Sequence, residues 1–144
     1  MREILTEERY NFLKREAHKL LNLSTNNNPF YLAKVLKINI NICSLKDELK
    51  GFILDDSIYI NKKLDLYSQK IICAHELGHY ILHRNLNAFE LFDTDTESIT
   101  ELEANLFAKE IMPQMFSRID MNEIKYVSDF NKFIENQIRF SEVV

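Results

Sequence analysis

The sequence predicts an α+β fold: a short mixed or antiparallel sheet packed on two long helices, with a helical C-terminus. Three observations carry this expectation. Ile38, Ile40 and Ile42 alternate with Asn39 and Asn41, the period-two pattern of a half-buried strand. Two β-rich runs, Gly51–Leu54 and Ser57–Ile60, flank Asp55-Asp56, which suggests a tight hairpin. On both sides of these strands the apolar period is that of a helix.

Taken in order, Thr6 with Glu7 and Glu8 marks a helix start, an N-cap oxygen followed by acids in the first turn. Phe12, Leu13, Ala17, Leu20 and Leu21 then recur at helical spacing. Asn26-Asn27-Asn28 reads as a loop. Asn28 as N-cap and Pro29 at the first helical position open a short helix to about Leu36. After the strands, residues 68–83 form a helix. Residues 84–98, with Asp93, Asp95 and Glu97, read as a loop. A helix runs from about Ile99 to Met112 and stops near Pro113. Asp120 with Glu123 forms a capping box for a further helix, and Phe130, Phe133, Ile134 and Ile138 mark a last amphipathic one.

With 144 residues, 46% hydrophobic and 28% charged, the chain is expected to be one domain, 1–144, able to bury a core without disulfides. A net charge of −4 argues against binding nucleic acid by bulk electrostatics. Cys43 and Cys73 are too few for a disulfide framework and read as reduced thiols. No apolar run reaches the length of a membrane span, and no apolar h-region follows the charged start. A cytoplasmic protein without a membrane partner is expected.

The chemistry sits in His75-Glu76-Leu77-Gly78-His79, an H-E-x-x-H pattern on a predicted helix. Residues four apart share one helix face, so two imidazoles can reach one metal from a rigid element. Glu76 lies beside the pair and can act on a metal-activated water. Ile71, Ile72 and Leu82 share that face, so the histidines point inward. Gly78 costs about 1 kcal/mol in a helix relative to alanine, which suggests close approach of a neighbour or substrate.

Catalytic zinc takes three protein ligands and keeps one position open. A metzincin-type third histidine is missing, because Leu82 and Asn85 stand at its glycine and histidine positions. His83, one turn past His79, reads as packing or as a partner of a ligand histidine. On a helical wheel of residues 101–112, Glu101 falls within the apolar arc of Ala104, Phe107, Ala108, Ile111 and Met112. Glu103 falls opposite, beside Glu110. Glu101 is therefore the inward carboxylate and candidate third ligand, with Glu103 facing out. Asn105 is placed to hydrogen-bond Glu101 or a ligand histidine.

Ala74-His75-Glu76-Leu77-Gly78-His79, Ile81-Leu82-His83, Glu101-x-Glu103-Ala104-Asn105-x-Phe107-Ala108 and Ile111-Met112-Pro113 together resemble the ImmA/IrrE family of metallo-endopeptidases. The likeness extends upstream through Lys50-Gly51-Phe52 and Ile58-Tyr59-Ile60-Asn61, and covers about residues 29–113, with an echo at Val127-Ser128. It implies a small zincin-like, gluzincin-type domain. Its motif-bearing core would span 29–113, with a helical C-terminal segment over 114–144. It implies Zn2+ held by His75, His79 and Glu101, with Glu76 as catalytic base. It further implies a substrate that is a helix-turn-helix transcriptional repressor of a phage, mobile element or stress response. For the second oxyanion donor, Tyr59, Tyr80, Tyr126 and His83 all stand open. The Ser57–Ile60 strand reads either as a sheet edge that holds substrate as an added strand or as an ordinary core strand. Competing readings are a regulator-binding module with a structural or vestigial zinc site, and a zinc hydrolase of small molecules. An intact Glu76 speaks against the binding module.

Overall fold

A computed structural model describes residues 5–46, 49–85, 94–116, 127–138 and 140, with the backbone alone at 94–98, 115–116, 127–130 and 133. Helix α1 spans Glu7–Asn22, and Thr6 caps it by accepting from Arg9 N at 3.0 Å. Its buried face is Leu13, Ala17 and Leu20. Helix α2, Pro29–Val35, starts as expected, with Asn28 Oδ1 accepting from Phe30 N at 3.0 Å.

Three strands follow: β1 Asn39–Cys43, β2 Gly51–Leu54 and β3 Ser57–Asn61. Their order is β1-β3-β2, with β1 parallel and β2 antiparallel to β3. The sheet is therefore mixed. Asp55 and Asp56 make the β2–β3 turn, and Asp55 takes a left-handed φ of 52°, which aspartate tolerates. Of the two readings left open for Ser57–Ile60, the structure shows the core strand: it is central, and among the described residues the sheet edge packed beside α3 belongs to β2. Burial fades from Ile38, just before β1 and 4% exposed, to Ile42 within it, 43% exposed, because the strand borders the sheet. Asn61 at the end of β3 is buried, and its amide donates to Leu49 O at 2.9 Å, tying the β1–β2 connection to the sheet.

Helix α3, Leu66–His83, is capped by Asp65, whose Oδ1 accepts from Ser68 N at 2.8 Å. It packs against β2, β3, α1 and α2, and most extensively against α4, Thr94–Ile111. Helix α4 thus begins before Ile99, and the acidic run at Asp95 and Glu97 belongs to its first turns rather than to a loop. A 3-10 turn, Pro113–Phe116, ends this segment where the proline was expected to stop the helix. The last helix, α5, Val127–Gln137, packs on α4. The Asp120–Glu123 capping box lies outside the described residues. Leu77, Leu102, Leu106 and Phe107 lie fully buried at the α3–α4 contact and its surroundings. No helix among the described residues is long and apolar enough to cross a membrane.

Candidate metal centre

The site forms where the middle of α3 meets the first described turns of α4. Gly78 permits that approach. A Cβ there would stand 3.0 Å from Phe107 Cβ and 3.1 Å from Ala104 Cα, so the helices are spaced for a hydrogen. The neighbour that glycine was expected to admit is therefore α4.

Close approach puts Glu101 over the two histidines. His75 Nε2 lies 3.0 Å from Glu101 Oε2, His79 Nε2 lies 2.9 Å from Glu101 Oε1, and the two Nε2 atoms are 3.1 Å apart. Among the described residues, His75, His79 and Glu101 form the one group of histidine, cysteine and acid side chains able to hold a metal ion. The donor set fits zinc. A tetrahedral ion bound at roughly 2.0–2.1 Å spaces its ligand atoms by roughly 3.3 Å, close to the separations seen. The Glu101 side chain is 43% exposed, so the group opens on solvent rather than closing on itself.

Without an ion, the three side chains are held together by charge. Burial disfavours charge on His75, but its bond to Glu101 and the charges of Glu101 and Glu76 outweigh this and raise it to about 9. Burial pushes Glu101 up, yet the hydrogen bonds and charges of His75 and His79 hold it well below the usual carboxylate range. Glu76 is 7% exposed. Burial raises its proton affinity, opposed by His75 and His79 and supported by Glu101.

Asn105 Oδ1 accepts from His75 Nδ1 at 2.7 Å, the expected contact to a ligand histidine. His83 is buried, as a partner of His79 rather than a further ligand, with its Nδ1 2.9 Å from His79 Nδ1. Glu103 corrects the helical wheel. It is 4% exposed and accepts from Arg9 Nε at 2.6 Å and from His83 Nε2 at 2.7 Å. The wheel failed because α4 is covered by α1 and α5 as well as α3, so residues 102–108 are buried on every side. No local signal in the sequence pairs Glu103 with Arg9 or Asn105 with Asn131, since α1 and α5 are remote in the chain.

Two cavities meet at the group and share Gly51, Glu76 and Glu101. One, of about 420 Å³, is lined by Lys50, Ile72, His75, Asn131 and Ile134. The other, of about 580 Å³, is lined by Phe52, Leu54, His79, Tyr80 and Arg84. Edge strand β2 borders both. Of the oxyanion candidates, Tyr80 and His83 line the larger cavity, and the Tyr80 hydroxyl donates to Asp56 Oδ1 at 3.4 Å. Tyr59 stacks on Phe52 with ring centroids 4.9 Å apart, and both nitrogens of His83 are engaged. Tyr126 lies outside the described residues.

The family model of the IrrE N-terminal-like domain, a peptidase family, matches residues 33–126. The chain belongs to this family. Within the IrrE N-terminal-like match fall α3 and the part of α4 that carries the His75, His79 and Glu101 group. The chain is 32% identical over 109 residues to an uncharacterized immunity region protein 2 of Bacillus phage phi105, covering 72% of this chain and 69% of that protein. It is 29% identical over 131 residues to metallopeptidase ImmA of Bacillus subtilis strain 168, covering 83% and 73%. No solved structure matches significantly.

Proposed function

We propose that this IrrE N-terminal-like chain is a zinc-dependent endopeptidase that cuts a helix-turn-helix transcriptional repressor in the cytoplasm. The observation that carries the reading is the convergence of His75, His79 and Glu101 beside a buried Glu76, in a groove along a sheet edge. The names of the two relatives, a metallopeptidase and a phage immunity region protein, support a proteolytic role in a phage regulatory setting.

His75, His79 and Glu101 would hold the ion. Zinc bound there supplies Lewis acidity, which acidifies water and polarises a peptide carbonyl. Glu76 takes the proton of the attacking water and passes it to the leaving amine. Its burial suits that task, because it lifts the carboxylate's proton affinity toward that of a working base. Strand β2, an outer strand of the sheet among the described residues, takes the substrate backbone as an added strand, which favours an extended peptide over a small molecule.

The test is intact-mass analysis of the repressor encoded beside this gene, incubated with zinc-loaded protein and with Glu76→Gln. The expected result is one discrete cut by the wild type and none by the variant, with zinc retained in both. A cut by metal-loaded Glu76→Gln would remove Glu76 as the base. An intact repressor after incubation with zinc-loaded wild type would overturn the repressor as substrate.

A further inference from the structure

Two hydrogen-bond chains start at the metal-facing histidines and end on helices outside the family match, which spans residues 33–126. The first runs from His79 Nδ1 to His83 Nδ1 at 2.9 Å and from His83 Nε2 to Glu103 Oε1 at 2.7 Å. It ends on α1, where Arg9 grips both oxygens of Glu103 at 2.6 and 2.9 Å. The second runs from His75 Nδ1 to Asn105 Oδ1 at 2.7 Å, then from Asn105 Nδ2 to Asn131 Oδ1 on α5 at 2.7 Å.

The order of donors follows from the chain ends. A guanidinium only donates, and a carboxylate gripped by one only accepts. Glu103 therefore accepts from His83 Nε2–H. The neutral His83 ring then has Nδ1 as its acceptor, and His79 Nδ1–H donates to it. In the second chain Asn105 gives its amide N–H to Asn131, so its carbonyl oxygen accepts the proton of His75 Nδ1. With Nδ1 committed as a donor in both rings, Nε2, which donates to Glu101 when no ion is bound, is the nitrogen each ring can deprotonate to hold one.

We infer that Arg9, Glu103 and His83 act on His79, and Asn131 through Asn105 on His75, as positioning residues that fix which ring nitrogen faces the metal. The inference rests on the metal site proposed above. Helices α1 and α5, which contribute no ligand, thereby set the metal affinity of the family core. An imidazole freed from its chain spends part of its time with Nε2 protonated or turned away, and that fraction is lost to binding. A purely structural role would lower stability and leave the affinity of the folded protein unchanged.

The experiment measures zinc affinity by competition with a chromophoric chelator, on variants whose metal-free circular dichroism shows them folded. His83→Phe and Glu103→Gln are expected to weaken zinc binding by roughly 10–100-fold, the usual effect of removing such a partner. Arg9→Met and Asn131→Leu should weaken it by roughly tenfold, and Glu110→Gln, elsewhere on α4, should not. In zinc-loaded wild type both Nδ1–H protons should be visible by nitrogen-edited NMR, and that of His79 should vanish in His83→Phe. Wild-type affinity in the folded variants would overturn the relays. Should His83→Phe not fold, Arg9→Met probes the same chain from its partly exposed end and decides in its place. A wild type that takes up no zinc would overturn the metal site itself, whereas equal binding by wild type and variants overturns the relays alone.

Discussion

Glu103 shows what a single buried acid contributes at this site. Burial pushes its carboxyl up, but the Arg9 and His83 hydrogen bonds and charges hold it down at about 2, against an ordinary 4.5. A depressed folded pKa means that the ionised form stabilises the fold. That stability is fully present above about pH 4.5 and is lost as pH falls toward about 2. Glu103→Gln in the metal-free protein should therefore cost roughly 1–3 kcal/mol at neutral pH, the range for leaving a buried partner unmet. The gap to wild type should close through the acid range in urea titrations. A gap that stays constant down to pH 2 would show that shape, not charge, is what Glu103 supplies.

At the scale of elements, the α3–α4 contact decides where the metal group forms. Gly78→Ala illustrates the balance. Alanine gains about 1 kcal/mol in helix propensity over glycine. Its Cβ, however, would press on Ala104 Cα at 3.1 Å and Ala104 O at 3.2 Å, and those are backbone atoms that move only with the whole helix. Overpacking of this kind costs about 1–3 kcal/mol. The expected outcome is a net loss of about 1 kcal/mol, read as a lower urea midpoint at unchanged m-value, together with weaker zinc binding as Glu101 is pushed off the histidines. A more stable variant would show that α4 yields freely. The same contact explains why α4 carries little amphipathic signal: α1, α3 and α5 all pack on it.

Across the whole molecule, the group joins two separate helices, α3 and α4, so an ion bound there would act as a cross-link in the folded state alone. Binding to the folded form stabilises by RT ln(1 + [L]/Kd), about 2.7 kcal/mol at a hundredfold excess over Kd. Zinc should raise the melting temperature of the wild type and of Glu76→Gln alike, and a chelator should reverse the rise. Glu101→Ala should abolish it. A full zinc shift in Glu101→Ala would move the third ligand elsewhere. Helix α5 adds a wall to the groove through Asn131 and Ile134, so it reaches the site as well as packing on α4.

The sequence by itself determined what depends on near neighbours. It placed the caps at Thr6 and Asn28, the Asp55-Asp56 hairpin, and the histidine pair with its glutamate, because turn chemistry and helical spacing are local. It also placed Glu101 and Asn105 on the face of α4 that meets the two histidines, since positions along one helix follow the 3.6-residue period. It erred where an element is surrounded. Glu103 was read as outward because a wheel assumes one buried face, and α4 has no solvent face between residues 102 and 108. It left Ser57–Ile60 open between edge and centre, because strand order is a property of the sheet and not of any strand. Only the tertiary structure joined Arg9 to Glu103 and Asn131 to Asn105, since contacts between remote helices leave no period in the chain that makes them.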